Sequence, residues 1–236
     1  TRWVRLLYGA DWADPALYTM ADEEIIESSK NAVRKLCPIE KAPEPVLKPD
    51  KPWEGFEADG TADTLQDPFY ATVLYDPSEK LFKCWYRMFN RYLSRIYSPG
   101  FANQGSELAY AISEDGINWE KPNIGQVLYM GSYDNNVLRT MGPDQAFGKE
   151  GDGIGPVIPM AMPDSDDRFA CSIHSRFEDP LYDKGITMCF SPDGINWRMH
   201  YPPVLPQDGD CQSVSIDPIN RRYIITSRSA AHAHLC

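Results

Sequence analysis

Ser113-Glu114-Asp115-Gly116-Ile117-Asn118-Trp119 returns 78 residues later as Ser191-Pro192-Asp193-Gly194-Ile195-Asn196-Trp197, and the copies differ only at Glu114/Pro192. That spacing exceeds the unit of most solenoids and suits a four-stranded sheet carrying loop insertions. It points to an all-β chain built as a β-propeller. Asp-Gly after a β-prone run reads as a two-residue hairpin turn, with positive φ at both residues. The upstream runs are Ala109-Tyr110-Ala111-Ile112 and Ile186-Thr187-Met188-Cys189-Phe190. Three residues past each glycine, Trp119 and Trp197 are expected to fill the space between neighbouring sheets.

A second repeat interleaves with the first. Asp76-Pro77 precedes Phe82 and Arg87 as Asp217-Pro218 precedes Tyr223 and Arg228, with a looser copy in Pro163-Asp164 to Phe169 and Arg176. Each Pro/Asp turn joins two hydrophobic strands. The recurrence of Arg87 and Arg228 favours a repeated structural ion pair over a phosphate clamp. Strands are predicted near 67–75, 80–88, 107–113 and 118–121 for a first blade, and near 154–162, 168–174, 185–191 and 196–200 for a second. A third blade contributes 210–217 and 222–228. The domain reading is an extended, wrapping N-terminal segment over 1–52, then a partial propeller over 53–236, with blade I at 53–125, blade II at 150–205 and the start of blade III at 206–236. About two and a half blades of a five-bladed family type are present, which leads to the expectation of a C-terminally truncated propeller.

With 23 Lys and Arg against 34 Asp and Glu, the net charge is −11. A nucleic-acid backbone or an anionic membrane normally requires a basic face, so neither is expected as a partner, whereas a neutral sugar is compatible. No apolar run approaches the ~18 residues of a membrane span. The chain begins at Thr1 and shows no signal-peptide pattern, which leaves the compartment open. Six cysteines form no CxxC pair, and Cys84 and Cys171, each two residues after a strand aromatic, read as small core fillers at equivalent positions. Pro38, Pro43, Pro45, Pro49 and Pro52 mark an extended connector. Residues 121–153 read as an insertion between blades, with a turn at Asp134-Asn135-Asn136.

Pro45 to Glu54, Thr72 to Asp76, Leu81 to Tyr86, Tyr110 to Pro122, Asp134 to Val137 and Ser191 to Trp197 together resemble a bacterial group of glycoside hydrolases. That group is similar to the five-bladed propeller clan of invertases, levansucrases and arabinanases. The likeness runs over roughly residues 20–228, and most of its motifs are structural. It implies a funnel at the propeller axis, lined by carboxylates from the innermost strands. Asp67, Asp152 and Asp210 stand at comparable points before three such strands and are the expected catalytic acids. Asp210 with Gln212 matches the group's Asp-x-Gln, and Gln212, Glu54 and Trp53 are the expected substrate contacts. The chain departs from the pattern at Ile158 to Pro163, where relatives carry an Asp.

Glycoside cleavage needs one carboxyl group protonated to assist the leaving oxygen and another ionised as base or nucleophile; crowding acids separates their pKa values. On this reading Asp67 is the base or nucleophile, and Asp210 the acid or pKa tuner. The partner is an oligosaccharide or polysaccharide, and no cofactor is expected. Some clan members hold a structural calcium, but no ligand set here is assigned to one. His174, His200, His232 and His234 lack a metal-binding context. Trp12 and Tyr97 are further candidate stacking platforms. Two other functions compete: a noncatalytic carbohydrate-binding or scaffolding propeller, and a phosphorylase. The phosphorylase would need basic residues beside the acids.

Overall fold

The computed structural model describes residues 3–6, 26–31, 41–54, 71–89, 106–138, 158–159, 165–176, 184–200, 202–206, 213–217 and 220–227. Among these residues the chain is all-β, with one 3-10 turn at Pro52–Glu54. It divides into two compact units, Thr1–Glu44 and Pro45–Cys236. In the first unit β1 (Trp3–Leu6) pairs antiparallel with β2 (Ile26–Lys30), a strand pair the charged Asp22–Lys30 stretch did not announce.

The second unit holds three antiparallel sheets. Sheet I runs β3 (Ala71–Asp76), β4 (Leu81–Phe89), β5 (Ser106–Ser113), β6 (Val137–Leu138). Sheet II runs β7 (Ile158–Pro159), β8 (Phe169–Arg176), β9 (Lys184–Ser191), β10 (Arg198–Met199), with β11 (Leu205–Pro206) also on β9. Sheet III is β12 (Ser213–Asp217) with β13 (Arg222–Thr226). Sheets I and II share one register: Phe82↔Ser113 matches Phe169↔Ser191, Cys84↔Ala111 matches Cys171↔Cys189, and Ile112↔Glu120 matches Phe190↔Arg198.

The fourth strand of sheets I and II comes in two pieces. In sheet I the predicted strand at 118–121 makes a single bridge, Ile112↔Glu120. The remaining edge of β5 is covered by β6, which lies within the stretch read as an insertion. Sheet II repeats this, with β10 and then β11 on β9. The cause is β5 itself: Tyr110 N–H needs an acceptor beyond the turn and finds the Asn136 carbonyl at 3.0 Å. The chain therefore leaves after Glu120, packs Val127 and Tyr129 on sheet I, and comes back to complete the edge.

The Asp-Gly turns also differ from the two-residue form. Gly116 (φ 73°) and Gly194 (φ 84°) take positive φ while Asp115 and Asp193 do not. Each acidic side chain instead caps a longer loop. Asp115 Oδ1 accepts from Ile117 N–H (2.8 Å) and Asn118 N–H (2.7 Å), and Asp193 Oδ1 accepts from Ile195 and Asn196 N–H at the same two distances. Ser113 and Ser191 hydroxyls accept from the glycine N–H at 2.9 and 2.8 Å. Trp119 and Trp197 indoles donate to the glycine carbonyl at 3.2 and 2.9 Å. An Asp acceptor serves two loop amides that a two-residue turn would not present.

The sheets stack in chain order. Trp85 of sheet I meets Phe169 and Trp197 of sheet II at 5.3 and 6.5 Å between ring centroids, and its indole donates to the Gly194 carbonyl at 2.7 Å. Leu108, Tyr110 and Leu138 close this cluster from sheet I, and Cys171, Ile173 and Cys189 close it from sheet II. The other face of sheet II sets Ala170, Met188 and Phe190 against Val214, Tyr223 and Ile225 of sheet III. Each large apolar side chain so buried contributes about 1.5–3 kcal/mol. Cys84, Cys171 and Cys189 are buried free thiols, which fits core filling, and burial pushes the Cys84 thiol up to about 12. Cys37, Cys211 and Cys236 lie outside the described residues.

Candidate functional site

Trp53 and Glu54 sit in the 3-10 turn Pro52–Glu54, against the face of sheet I directed away from sheet II. Glu54 is 3% exposed. Its Oε2 accepts from Asp50 N–H (2.8 Å) and Lys51 N–H (3.0 Å) and pairs with Lys121 Nζ at 2.7 Å. Its Oε1 accepts from the Tyr86 hydroxyl at 2.5 Å. Lys121 reaches this point because the chain has just passed Glu120, and it also binds Asp50 Oδ1 and the Lys48 carbonyl, each at 2.7 Å.

Asn136, wholly buried, completes the network. It donates to the Tyr86 hydroxyl (2.8 Å) and the Tyr110 carbonyl (2.7 Å) and accepts from the Trp53 indole at 2.6 Å. Tyr86 thus donates to one neighbour and accepts from another. Burial, and then the negative charge of Glu54, push its phenol well above the ordinary tyrosine range. Trp53 also packs edge-on against Tyr129, 6.2 Å between centroids. Beside Glu54, the space bounded by Leu47, Pro49, Tyr86, Arg87 and Met88 is about 10 Å³, room for roughly one water molecule.

Both carboxylate oxygens of Glu54 are taken up by these donors, and Lys121 balances its charge. The arrangement fastens residues 45–54 to sheet I. It offers no carboxylic proton for a leaving group. Four of the six sequence-derived site residues, Asp67, Asp152, Asp210 and Gln212, lie outside the described residues, as do Trp12 and Tyr97. Tyr86, Lys121 and Asn136 were not singled out from sequence. Their signal was present, since Pro45–Glu54, Leu81–Tyr86, Tyr110–Pro122 and Asp134–Val137 are four of the motifs that carry the family resemblance. Those motifs meet in one buried cluster.

A second charged cluster lies between sheets I and II. Lys83, 2% exposed, pairs with Asp76 (3.0 Å) and Glu79 (2.8 Å), donates to the Asp193 carbonyl (3.3 Å) and stands 5.1 Å from the Phe169 ring centroid. Arg168, at the start of sheet II, reaches back to Asp76, Ser78 and Glu79. Burial works to raise the Asp76 carboxyl, but its bonds from Ser78 and Lys83 outweigh that and hold it well below the usual carboxylate range. Among the described residues no group of three or more His, Cys, Asp and Glu is arranged to hold a metal ion, and no helix is long and apolar enough to cross a membrane.

No family model and no curated protein matches the sequence. Among solved structures the chain is similar to an N-acetylgalactosamine deacetylase from F. plautii in complex with blood group B trisaccharide. That match has 16% identity and a TM-score of 0.36, and covers 63% of this chain and 36% of that one. It is similar to a β-fructofuranosidase from Schwanniomyces occidentalis complexed with fructosyl-erythritol, at 15% identity and TM-score 0.39, covering 65% of this chain and 28% of that one. A third is a complex of BT0996 with RGII, at 16% identity and TM-score 0.42, covering 81% of this chain and 54% of that one. The chain thus spans between 28% and 54% of the length of these structures.

Proposed function

We propose that this chain is part of a five-bladed-type β-propeller that hydrolyses a glycosidic bond in an oligosaccharide or polysaccharide. Its blades begin at residues 53, 150 and 206. The observation that carries the proposal is the stack of sheets I, II and III in chain order, with β3, β7 and β12 each the edge strand that opens its sheet. An edge that recurs in successive stacked sheets is where a propeller places its axis. Asp67, Asp152 and Asp210 precede those three strands.

In this proposal Asp67 acts as base or nucleophile and Asp210 as acid or pKa tuner, with Asp152 as the third carboxylate. Gln212 holds substrate hydroxyls. Trp53 and Glu54 belong to the substrate side through the strap they fasten beside sheet I. Carboxyl groups about 5–5.5 Å apart would give retention, and about 6.5–9.5 Å inversion.

A second reading, a noncatalytic carbohydrate-binding propeller, is favoured by one feature: Ile158 to Pro163 of sheet II carries no acid. The test is a screen of the protein against aryl glycosides and oligosaccharides, with Asp67→Asn and Asp210→Asn variants and glycan binding measured alongside. Hydrolysis lost in both variants with folding intact supports the enzyme. Unchanged turnover in Asp210→Asn refutes that assignment. Sugar binding without turnover in the wild type moves the conclusion to the binder.

A further inference from the structure

Ile117 and Ile195 hold the same place in the two copies of the loop, yet their surroundings differ. Ile195 packs into the cluster between sheets I and II, whereas Ile117 is 60% exposed. The exposure continues along sheet I. A Cβ placed on Gly116 would lie 3.7 Å from the Phe82 ring, and Tyr75 meets Phe82 at 5.0 Å between centroids. Tyr75 and Val73, alternate residues on one face of β3, are 52% and 50% exposed. Phe169 and Trp197 stand in sheet II where Phe82 and Trp119 stand in sheet I. They are buried because sheet I covers them. The turn end of sheet I therefore presents to solvent the face that, one repeat later, is a sheet-to-sheet contact.

The other end of the stack has a complementary face. Sheet III turns Val214, Tyr223 and Ile225 toward sheet II and leaves Ile224 45% exposed, with Arg222 and Thr226 exposed beside it. By register Ile224 takes the place of Lys83, and Thr226 that of Trp85. Those are the two positions through which sheet I touches Phe169. Charge agrees with this pairing, since exposed Glu114 and Asp115 flank Ile117 while Arg222 shares the open face of sheet III.

We propose that the open face of sheet III in one copy of this chain packs on the open face of sheet I in a second copy, repeating between molecules the contact made within each. Such an interface joins two different patches and is head-to-tail. It stands on the stacking of the sheets and is independent of the carbohydrate chemistry.

Sedimentation velocity on the full chain over a range of concentrations tests it, with Ile117→Asp and Ile224→Asp as the two patch variants. The wild type is expected to associate with concentration. Each variant alone should associate about thirtyfold more weakly or less, the effect of losing one hot-spot contact. An equimolar mixture should form 1:1 pairs, because one variant keeps the sheet III patch and the other keeps the sheet I patch. A wild type that stays monomeric overturns the proposal. So does either variant assembling like the wild type, or a mixture that stays monomeric. If a variant loses its far-UV circular dichroism, the Ser substitution at the same position replaces it.

Discussion

Replacing Gly194 with Ala should cost far more than the same change at Gly116, although the two glycines hold the same place in the same heptapeptide. Both adopt positive φ, 84° and 73°, so each substitution carries the backbone penalty of a left-handed L-residue, about 1–2 kcal/mol. At Gly116 that is nearly the whole effect, because the nearest atoms to a new Cβ belong to the Phe82 ring at 3.7 Å, an ordinary contact. At Gly194 the new Cβ would stand 2.5 Å from Cζ2 of Trp85. Trp85 cannot move aside. It is 1% exposed, wedged among Tyr110, Phe169 and Trp197, and tied by its indole to the Gly194 carbonyl at 2.7 Å.

Overpacking of that kind adds about 1–3 kcal/mol, and losing the indole bond adds about 1 more. The expected cost is thus about 1–2 kcal/mol for Gly116→Ala and about 3–6 kcal/mol for Gly194→Ala. Urea unfolding followed by tryptophan fluorescence measures both, with the near-UV circular dichroism of the folded variants reporting the indole environment. Equal losses of stability in the two variants would refute the reasoning, since the entire difference comes from sheet I lying against the loop of sheet II.

Lys121→Met should destabilise the chain by about 3–5 kcal/mol, because it leaves Glu54 charged and buried; adding Glu54→Gln should recover part of the loss, and simple additivity in a denaturation cycle would contradict the pairing. Asp76 is held below its unfolded value of about 3.9, so its contribution is complete above about pH 4 and declines as acid protonates it. Asp76→Asn should therefore lower stability at pH 7 and flatten the acid limb of a stability-versus-pH curve; an unchanged limb would show that Asp76 does not carry it. Asp210→Asn should abolish any glycoside turnover while leaving the urea midpoint within about 0.5 kcal/mol of wild type, as for a substitution away from the core.

The sheets were legible where their determinants are local. Ser, Asp, Gly, Asn and Trp of the heptapeptide all bond to one another within seven positions, so two copies announce two hairpins whatever surrounds them. The strand edges fell within a few residues for the same reason. The second piece of the fourth strand was not legible, because Val137–Leu138 is too short to show a period of two. Asn136 looked like a turn residue by composition, yet its partners Tyr86 and Trp53 lie 50 and 83 positions away, and only the folded sheet brings them together. Glu54 misled in the same manner: a Trp-Glu pair before a strand suits a sugar contact, and nothing local shows that Lys121, 67 positions on, neutralises it.

That outcome narrows where the chemistry can be sought. Six acids of the described residues are taken up by the fold, each in a different way. Glu54 fastens the strap and Asp76 joins the turn of sheet I to sheet II, while Asp115 and Asp193 cap their loops. Asp167 holds Ser165 and Arg198, and Asp217 holds Asn220 and Arg222. A carboxylate used this way is fixed in its ionised form by amide, hydroxyl or cationic donors and is a poor proton donor at neutral pH. Glycoside cleavage needs at least one acid whose surroundings push it the other way, toward retaining its proton. None of these six meets that requirement, so the proposal rests on Asp67, Asp152 and Asp210, which precede the opening strands of three stacked sheets.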